Sequence, residues 1–403
     1  MLSKKASKRS KTVSDRISGR VSAIAESSTM AITERARQLK AAGRPTISLG
    51  AGEPDFATPG HIVEAARQAA LDPANHHYTP NSGLPALREA VAHYTTEFSG
   101  PAVSANQTLI TNGGKQAVYL GLAAILDAGD EVLIPAPYWV TYPEASRLAG
   151  ASPVVVDTNS QTGFKVTVDQ LDKATTDRTK ALIFVSPSNP TGAVYTAAEV
   201  EAVGRWAAER RIWVITDEIY QRLIYNGLVS APSIAAVPEL GDRWLIVNGV
   251  AKTFAMTGWR VGWLVGPADV IKAASNYQSH LTSNVNNIAQ QAAVAALNGP
   301  REPIEDMRLS FDKRRQAMVG WLNEMNGVEC LEPEGAFYTF PAIGGFDSSM
   351  AAASYLLEEA DVAVVPGEAF GLDGYARLSY ALADDDLEIA MERMSKALAT
   401  RPI

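Results

Sequence analysis

Seven short apolar runs, each closed by turn residues, constrain the fold of this chain more than any other feature. They cover residues 108–111, 131–134, 152–156, 181–185, 213–216, 244–248 and 262–265. Most are apolar at both odd and even positions, so the strands they predict must be covered on both faces. Helical patterns at 61–70, 84–95, 115–126 and 197–210 precede or separate several of them. That alternation predicts an α/β fold with a large domain built on a mainly parallel sheet. After about Pro300 the pattern changes to a long helix at 304–325, short strands near 336–339 and 363–365, and a last helix from Asp384, which predicts a smaller α+β domain. Towards the N-terminus, a helix over 23–43 leads through an extended stretch at 46–49 into the loop Gly50-Ala-Gly-Glu-Pro-Asp-Phe56. A chain of 403 residues exceeds what one core serves. The expected division is 1–20, a disordered basic extension; 21–55, a segment joining the small domain; 56–299, the large domain; and 300–403, the small C-terminal domain.

Composition narrows the function. The formal net charge is −8, which argues against a nucleic-acid surface over most of the chain and makes a small-molecule substrate the default. The single cysteine, Cys330, permits no intramolecular disulfide and no multi-cysteine metal site, so no metal is expected and a reducing cytoplasm fits. No apolar stretch has the length of a membrane span. The first twenty residues carry seven Lys or Arg against one acid, with no apolar segment of the kind a secretion signal needs.

Ligands of open α/β sheets bind beyond the carboxyl ends of the strands, so the residues that close each run are the ones to inspect. After 108–111 comes Asn112-Gly113-Gly114-Lys115, where backbone N–H groups at a helix start can cradle a phosphate. After 131–134, Pro135-Ala-Pro-Tyr-Trp139 places a large aromatic where it can stack on a flat ring. Asn189, held between prolines in Ser186-Pro-Ser-Asn189-Pro-Thr-Gly192, presents a side-chain amide. In Thr216-Asp217-Glu218-Ile219-Tyr220 an acid ends a buried strand and needs a partner, such as a protonated pyridine nitrogen. After 244–248, Lys252 sits in a small-residue context with Arg260 eight residues on, which suits a Schiff-base amine and a phosphate-binding guanidinium. Taken singly, each also suits a bland role: a turn glycine, a core tryptophan, a helix-capping aspartate, a solvated lysine.

Together these segments resemble the fold-type I aminotransferases, specifically the class I aspartate aminotransferase family and its bacterial Ib-type branch. The stretch Gly249-Val-Ala-Lys252-Thr-Phe-Ala-Met-Thr-Gly258-Trp-Arg260-Val-Gly262 is similar to that family's cofactor-attachment pattern at every position. The resemblance runs from about Ser22 to the C-terminus. It implies an enzyme, dependent on pyridoxal 5′-phosphate (PLP), that moves amino groups by a ping-pong mechanism in amino acid metabolism and biosynthesis. Lys252 is then the Schiff-base lysine and proton carrier, Asp217 the partner of the pyridine nitrogen, and Asn189 and Tyr220 the partners of the ring oxygen. Trp139 is the stacking aromatic. Gly113, Gly114, Lys115 and Arg260 form the phosphate end, completed by Tyr78 in His77-Tyr-Thr-Pro80 of a second subunit, which implies a homodimer with shared sites.

For the substrate, Tyr375-Ala-Arg377-Leu-Ser-Tyr380 resembles the segment whose arginine grips the α-carboxylate, with Gly52 as its backbone companion and Trp139 and Asn189 beside it. Lys115, Thr29 and the stretch Thr282-Ser-Asn284 occupy places similar to those that meet the distal carboxylate of aspartate or glutamate. Two departures stand out. Gly249 replaces the Ser or Thr that other branches place on the phosphate, and residues 342–351 form a short glycine-rich linker near the expected substrate entrance. The alternatives are an aromatic amino acid or prephenate aminotransferase, a β-lyase or a specialised biosynthetic enzyme on the same fold, and, least favoured, a PLP-responsive DNA-binding regulator, for which twenty basic residues are too few to fold a DNA-binding domain.

Overall fold

A computed structural model of the chain describes residues 16–22, 24, 28–225 and 227–401. Its centre is a seven-stranded sheet in the order Thr108–Thr111, Gly262–Val265, Trp244–Gly249, Trp213–Asp217, Thr179–Val185, Glu131–Pro135, Ser152–Val156. Neighbours pair in parallel except Gly262–Val265, which runs antiparallel to both of its partners. The strands lie within a residue or two of their expected positions.

Except in the edge strand Ser152–Val156, alternate residues of each strand enter different cores, as the two-residue pleat requires. Leu182, Phe184, Val214, Ile246, Trp263 and Val265 pack on one side with the helices Gly60–Leu71, Pro85–Ser99, Ala197–Glu209 and Asn287–Asn298. Ala181, Ile183, Ile215, Leu245, Val247 and Leu264 pack on the other with Gly114–Ile125 and Ala268–Ser279. Apolarity at both parities is therefore the imprint of a sheet buried on both faces.

A third core holds Met307, Phe311, Met318 and Leu322 of the helix Glu302–Glu324 against Phe337, Leu378, Leu387 and Met391, and it also receives Leu49. Their spacing in the long helix follows one helical face. Antiparallel strands Tyr338–Thr339, Ala376–Ser379 and Val365–Pro366 form a small sheet, while Ile47–Ser48 pairs in parallel with Val362–Ala363. The helix Asp384–Thr400 opens with three aspartates at its positive end.

Several sequence expectations need correction. The N-terminal helix expected at 23–43 is Ser28–Ala41, preceded by the separate turn Gly19–Ser22. The single strand expected at 363–365 is two, because Val362–Ala363 pairs with Ile47–Ser48 and Val365–Pro366 with Ala376–Arg377. The stretch 342–351 is less a linker than two element ends: Ala342–Ile343 pairs with Val328–Glu329, and Ser348 caps the helix Ser349–Glu359. The helices Thr141–Leu148, Val168–Ala174, Ala268–Ser279 and Asn287–Asn298 were not among the expected elements. Residues 1–15 of the basic extension lie outside the described residues. Among the described residues no helix is long and apolar enough to cross a membrane.

Candidate active site

The carboxyl ends of the central strands open into a cavity of 540 Å³ whose walls include Gly52, Gly114, Lys115, Trp139, Asn189, Asp217, Tyr220, Lys252, Arg260 and Arg377. Its size suits a small ligand. These residues, scattered over most of the sequence, meet because each follows a strand end or belongs to a loop that crosses one.

Asp217 is the last residue of Trp213–Asp217. Its buried carboxylate accepts a hydrogen bond from the Tyr142 hydroxyl at 2.8 Å and one from the Ile219 N–H at 3.2 Å. Burial pushes this acid up to about 6, while those two donors and the nearby Lys252 pull it down. Glu218, the next residue, turns away from the cavity and accepts from Ser99 at 2.7 Å and Gln221 at 3.1 Å. Strand alternation thus gives two adjacent acids different surroundings.

Lys252 follows Trp244–Gly249 and donates from Nζ to the Gly52 carbonyl. Part of its side chain remains accessible through the cavity mouth, yet its amine is enclosed. Burial and, next, the positive Arg377 bring it down to about 8. A lysine so placed is largely neutral at mildly alkaline pH, as a nucleophilic amine must be.

Arg260 sits at φ 57°, a backbone region that residues with side chains seldom occupy. This lays its guanidinium across Gly113, where an added Cβ would lie only 2.6 Å from Nη2. Gly113, at φ 84°, is the residue before the helix Gly114–Ile125, so a helix start, its free N–H groups and a guanidinium converge. Lys115 lies 5.1 Å from the Trp139 ring centre, and burial, then Arg260, lowers its ammonium. Trp139 packs edge-on against Tyr142 at 5.4 Å.

Arg377 comes from the small sheet. Nη1 donates to Asn189 Oδ1 at 3.1 Å and Nη2 to the Gly50 carbonyl at 2.8 Å, while the buried Nε has no partner within the chain. The rings of Tyr338 and Phe370 lie 4.5 and 5.1 Å from its Cζ. Tyr220 shares a hydrogen bond of 2.8 Å with the Tyr338 hydroxyl, and burial raises both phenols.

Tyr78 and the 282–284 stretch stand apart from the cavity, and the Thr29 side chain is outside the described residues. Tyr78 is 92% exposed. Thr29 itself lies in the helix Ser28–Ala41. In the 282–284 stretch, Thr282 accepts from Gln116 at 2.8 Å, and Asn284 donates to Thr79 at 3.1 Å. Sequence reasoning missed Tyr142, Tyr338, Glu34 and Glu53, all of which line the cavity. Tyr142 is three residues past Trp139, just beyond the segment inspected at that strand end. Tyr338 lies in an expected strand whose facing could not be read without its neighbours.

The family model described as "Aminotransferase class I and II" matches residues 44–394. An aspartate aminotransferase from Streptomyces avermitilis is 56% identical over 95% of this chain and 97% of its own length. An aspartate/prephenate aminotransferase from Cereibacter sphaeroides is 44% identical over 94% of this chain and 97% of its own. The solved structure of Thermus thermophilus aspartate aminotransferase with maleate has a TM-score of 0.91 and 41% identity, covering 95% of this chain and 99% of that one. With a cavity of this kind at its strand ends and a match that spans nearly its whole length, this chain belongs to the class I and II aminotransferase family.

Proposed function

We propose that this enzyme transfers the amino group between L-aspartate or L-glutamate and a 2-oxo acid, using PLP held covalently on Lys252. The observation that carries the substrate class is a pair of cations, Arg377 and Lys115, lining the same cavity as the Lys252 amine. Two cations suit an amino acid with two carboxylates, and a planar guanidinium with an unpartnered Nε suits the α-carboxylate. Relatives named as aspartate aminotransferases, and one solved with the dicarboxylate maleate, support the same reading.

The residues present fit PLP. Gly113 leaves room that a Cβ would close against Arg260, and the helix start beside it favours a phosphate. Asp217 supplies a buried acid for a pyridinium. When bound, the cofactor supplies an aldehyde that takes up the amino group and a ring that withdraws electrons from the substrate Cα. Asp217, steadied by Tyr142, keeps the ring nitrogen protonated. Asn189 and Tyr220 would offer an amide and a hydroxyl to the ring oxygen, and Trp139 would stack on the ring. Arg377 holds the α-carboxylate, with Gly52 beside it, and Lys115 meets the distal one. Lys252 would carry the proton between the substrate Cα and the cofactor carbon that bears the amino group.

Tyr78 supports a homodimer with shared sites. Asn287 ties the backbone around it, donating to the carbonyls of Asn75 at 3.1 Å and His77 at 2.7 Å, so an aromatic that is 92% exposed stands on an anchored loop. We read it as completing the phosphate end of the partner's site. We take residues 56–299 as the larger, PLP-binding domain and 300–403 with 21–55 as the smaller, a division supported by the burial of Leu49 among residues of the C-terminal core. We place the protein in the cytoplasm, a setting supported by its lone cysteine, Cys330, which is buried.

The test is the absorption band of the holoprotein on addition of L-aspartate alone. A shift that 2-oxoglutarate reverses supports this reading. A shift with L-phenylalanine or L-arogenate but not with aspartate moves the substrate to the aromatic or prephenate class.

A further inference from the structure

Residues 50–58 cross the mouth of the cavity outside any helix or strand, so their place is set by the side chains that tie them down. Three ties reach the cavity wall: the Gly50 carbonyl accepts from Arg377, the Gly52 carbonyl accepts from Lys252, and Glu53 accepts from Thr257 at 2.7 Å. A fourth anchors the far end on the cofactor side, where Thr58 donates to the Ala255 carbonyl at 2.7 Å and accepts from Trp259 at 3.0 Å. The fifth lies away from the cavity. Arg314, on the helix Glu302–Glu324, donates from Nη1 to both oxygens of Asp55 at 2.9 and 3.0 Å and from Nε to Asp384 at 2.6 Å. Its side chain is only 12% exposed. Phe56 docks on the same helix, edge-on to Phe311 at 5.4 Å, with the Arg314 guanidinium 5.4 Å from its ring.

We propose that Arg314 is a positioning residue for substrate binding: through Asp55 it fixes residues 50–58 and so sets where Gly50 and Gly52 stand relative to Arg377. Arg314 touches none of the reacting groups. A guanidinium that holds one acid of the loop and one of the helix Asp384–Thr400 at once leaves the loop little freedom, and a loop without regular structure depends on such outer support to hold its inner face to the geometry binding needs. The inference rests on the dicarboxylate reading of the site.

The experiment compares the wild-type holoenzyme with Asp55→Asn and Arg314→Lys, measuring KM and kcat for L-aspartate, the Kd of maleate, the Kd of PLP, and Tm. Both variants should raise KM and the maleate Kd by roughly tenfold, with kcat within about twofold and PLP affinity unchanged, and the double variant should be no worse than either single one. A lower Tm with KM and maleate Kd unchanged would make the pair merely structural and overturn the proposal. Should either variant fail to fold, Asp384→Asn, which loosens Arg314 from its exposed side, decides: a KM raised by roughly threefold supports the role, and an unchanged KM refutes it. If the wild type binds no maleate, the substrate reading and this inference fall together. If the wild type binds it and the variants bind it equally, this inference alone falls.

Discussion

At the end of the cavity that we assign to the cofactor, Gly113, Asp217 and Lys252 each follow closely on a strand of one sheet. The end that we assign to the α-carboxylate instead draws Arg377 from a second sheet, Asn189 from a loop of the first, and the Gly50 carbonyl from 327 residues away in sequence. The first end inherits the rigidity of strands buried on both faces. The second is held by side-chain contacts between separate cores, so it has more ways to loosen. A substitution at the first should therefore strike the chemistry, and one at the second should strike binding.

The largest effect expected from this contrast is at Lys252. Lys252→Ala should remove covalent capture of PLP, read as loss of the borohydride-trapped adduct, and lower kcat by about four orders of magnitude. If capture survives, another amine is the attachment point and the account of the cofactor end is wrong. Arg377→Lys should act differently, because lysine keeps the charge and loses the planar fork. We expect KM for aspartate to rise by roughly 10- to 100-fold, with the trapped adduct still formed. A loss of adduct in this variant would mean that the two ends are not separable.

The smallest effect is one of pH. Burial brings Lys252 down to about 8 from the ordinary 10.5, and only the neutral amine attacks an aldehyde. The rate at which the cofactor-free protein captures PLP should thus rise roughly tenfold from pH 7 to 9 and level off above that. A rate still climbing steeply through pH 10 would indicate an unshifted lysine.

Much of this was legible in the sequence, for identifiable reasons. The strands were readable because apolar residues at both parities report two covered faces, and strand ends point to a site because side chains there cannot be buried in the sheet. The segment from Gly249 to Gly262 carries its roles within a few turns of chain: Arg260 reaches back over Gly113 only because of its own backbone conformation and that of the glycine. Tyr142 escaped notice although its hydroxyl holds Asp217. Its segment is a turn of helix whose facing depends on the sheet beneath. Tyr338 and Glu53 escaped for a similar reason, since each acts across a junction between segments 118 and 204 residues apart.

By itself the sequence determined an α/β sheet covered on both sides and the acid, amine and amide that stand at its strand ends, because pleat, helical period and turn chemistry are written in near neighbours. Only the tertiary structure decided how residues 362–366 divide between two sheets, which face Arg377 presents, and how Arg314 reaches Asp55. Those contacts join residues with no local relationship, and they follow from how separate cores pack together, a property that no window of sequence contains.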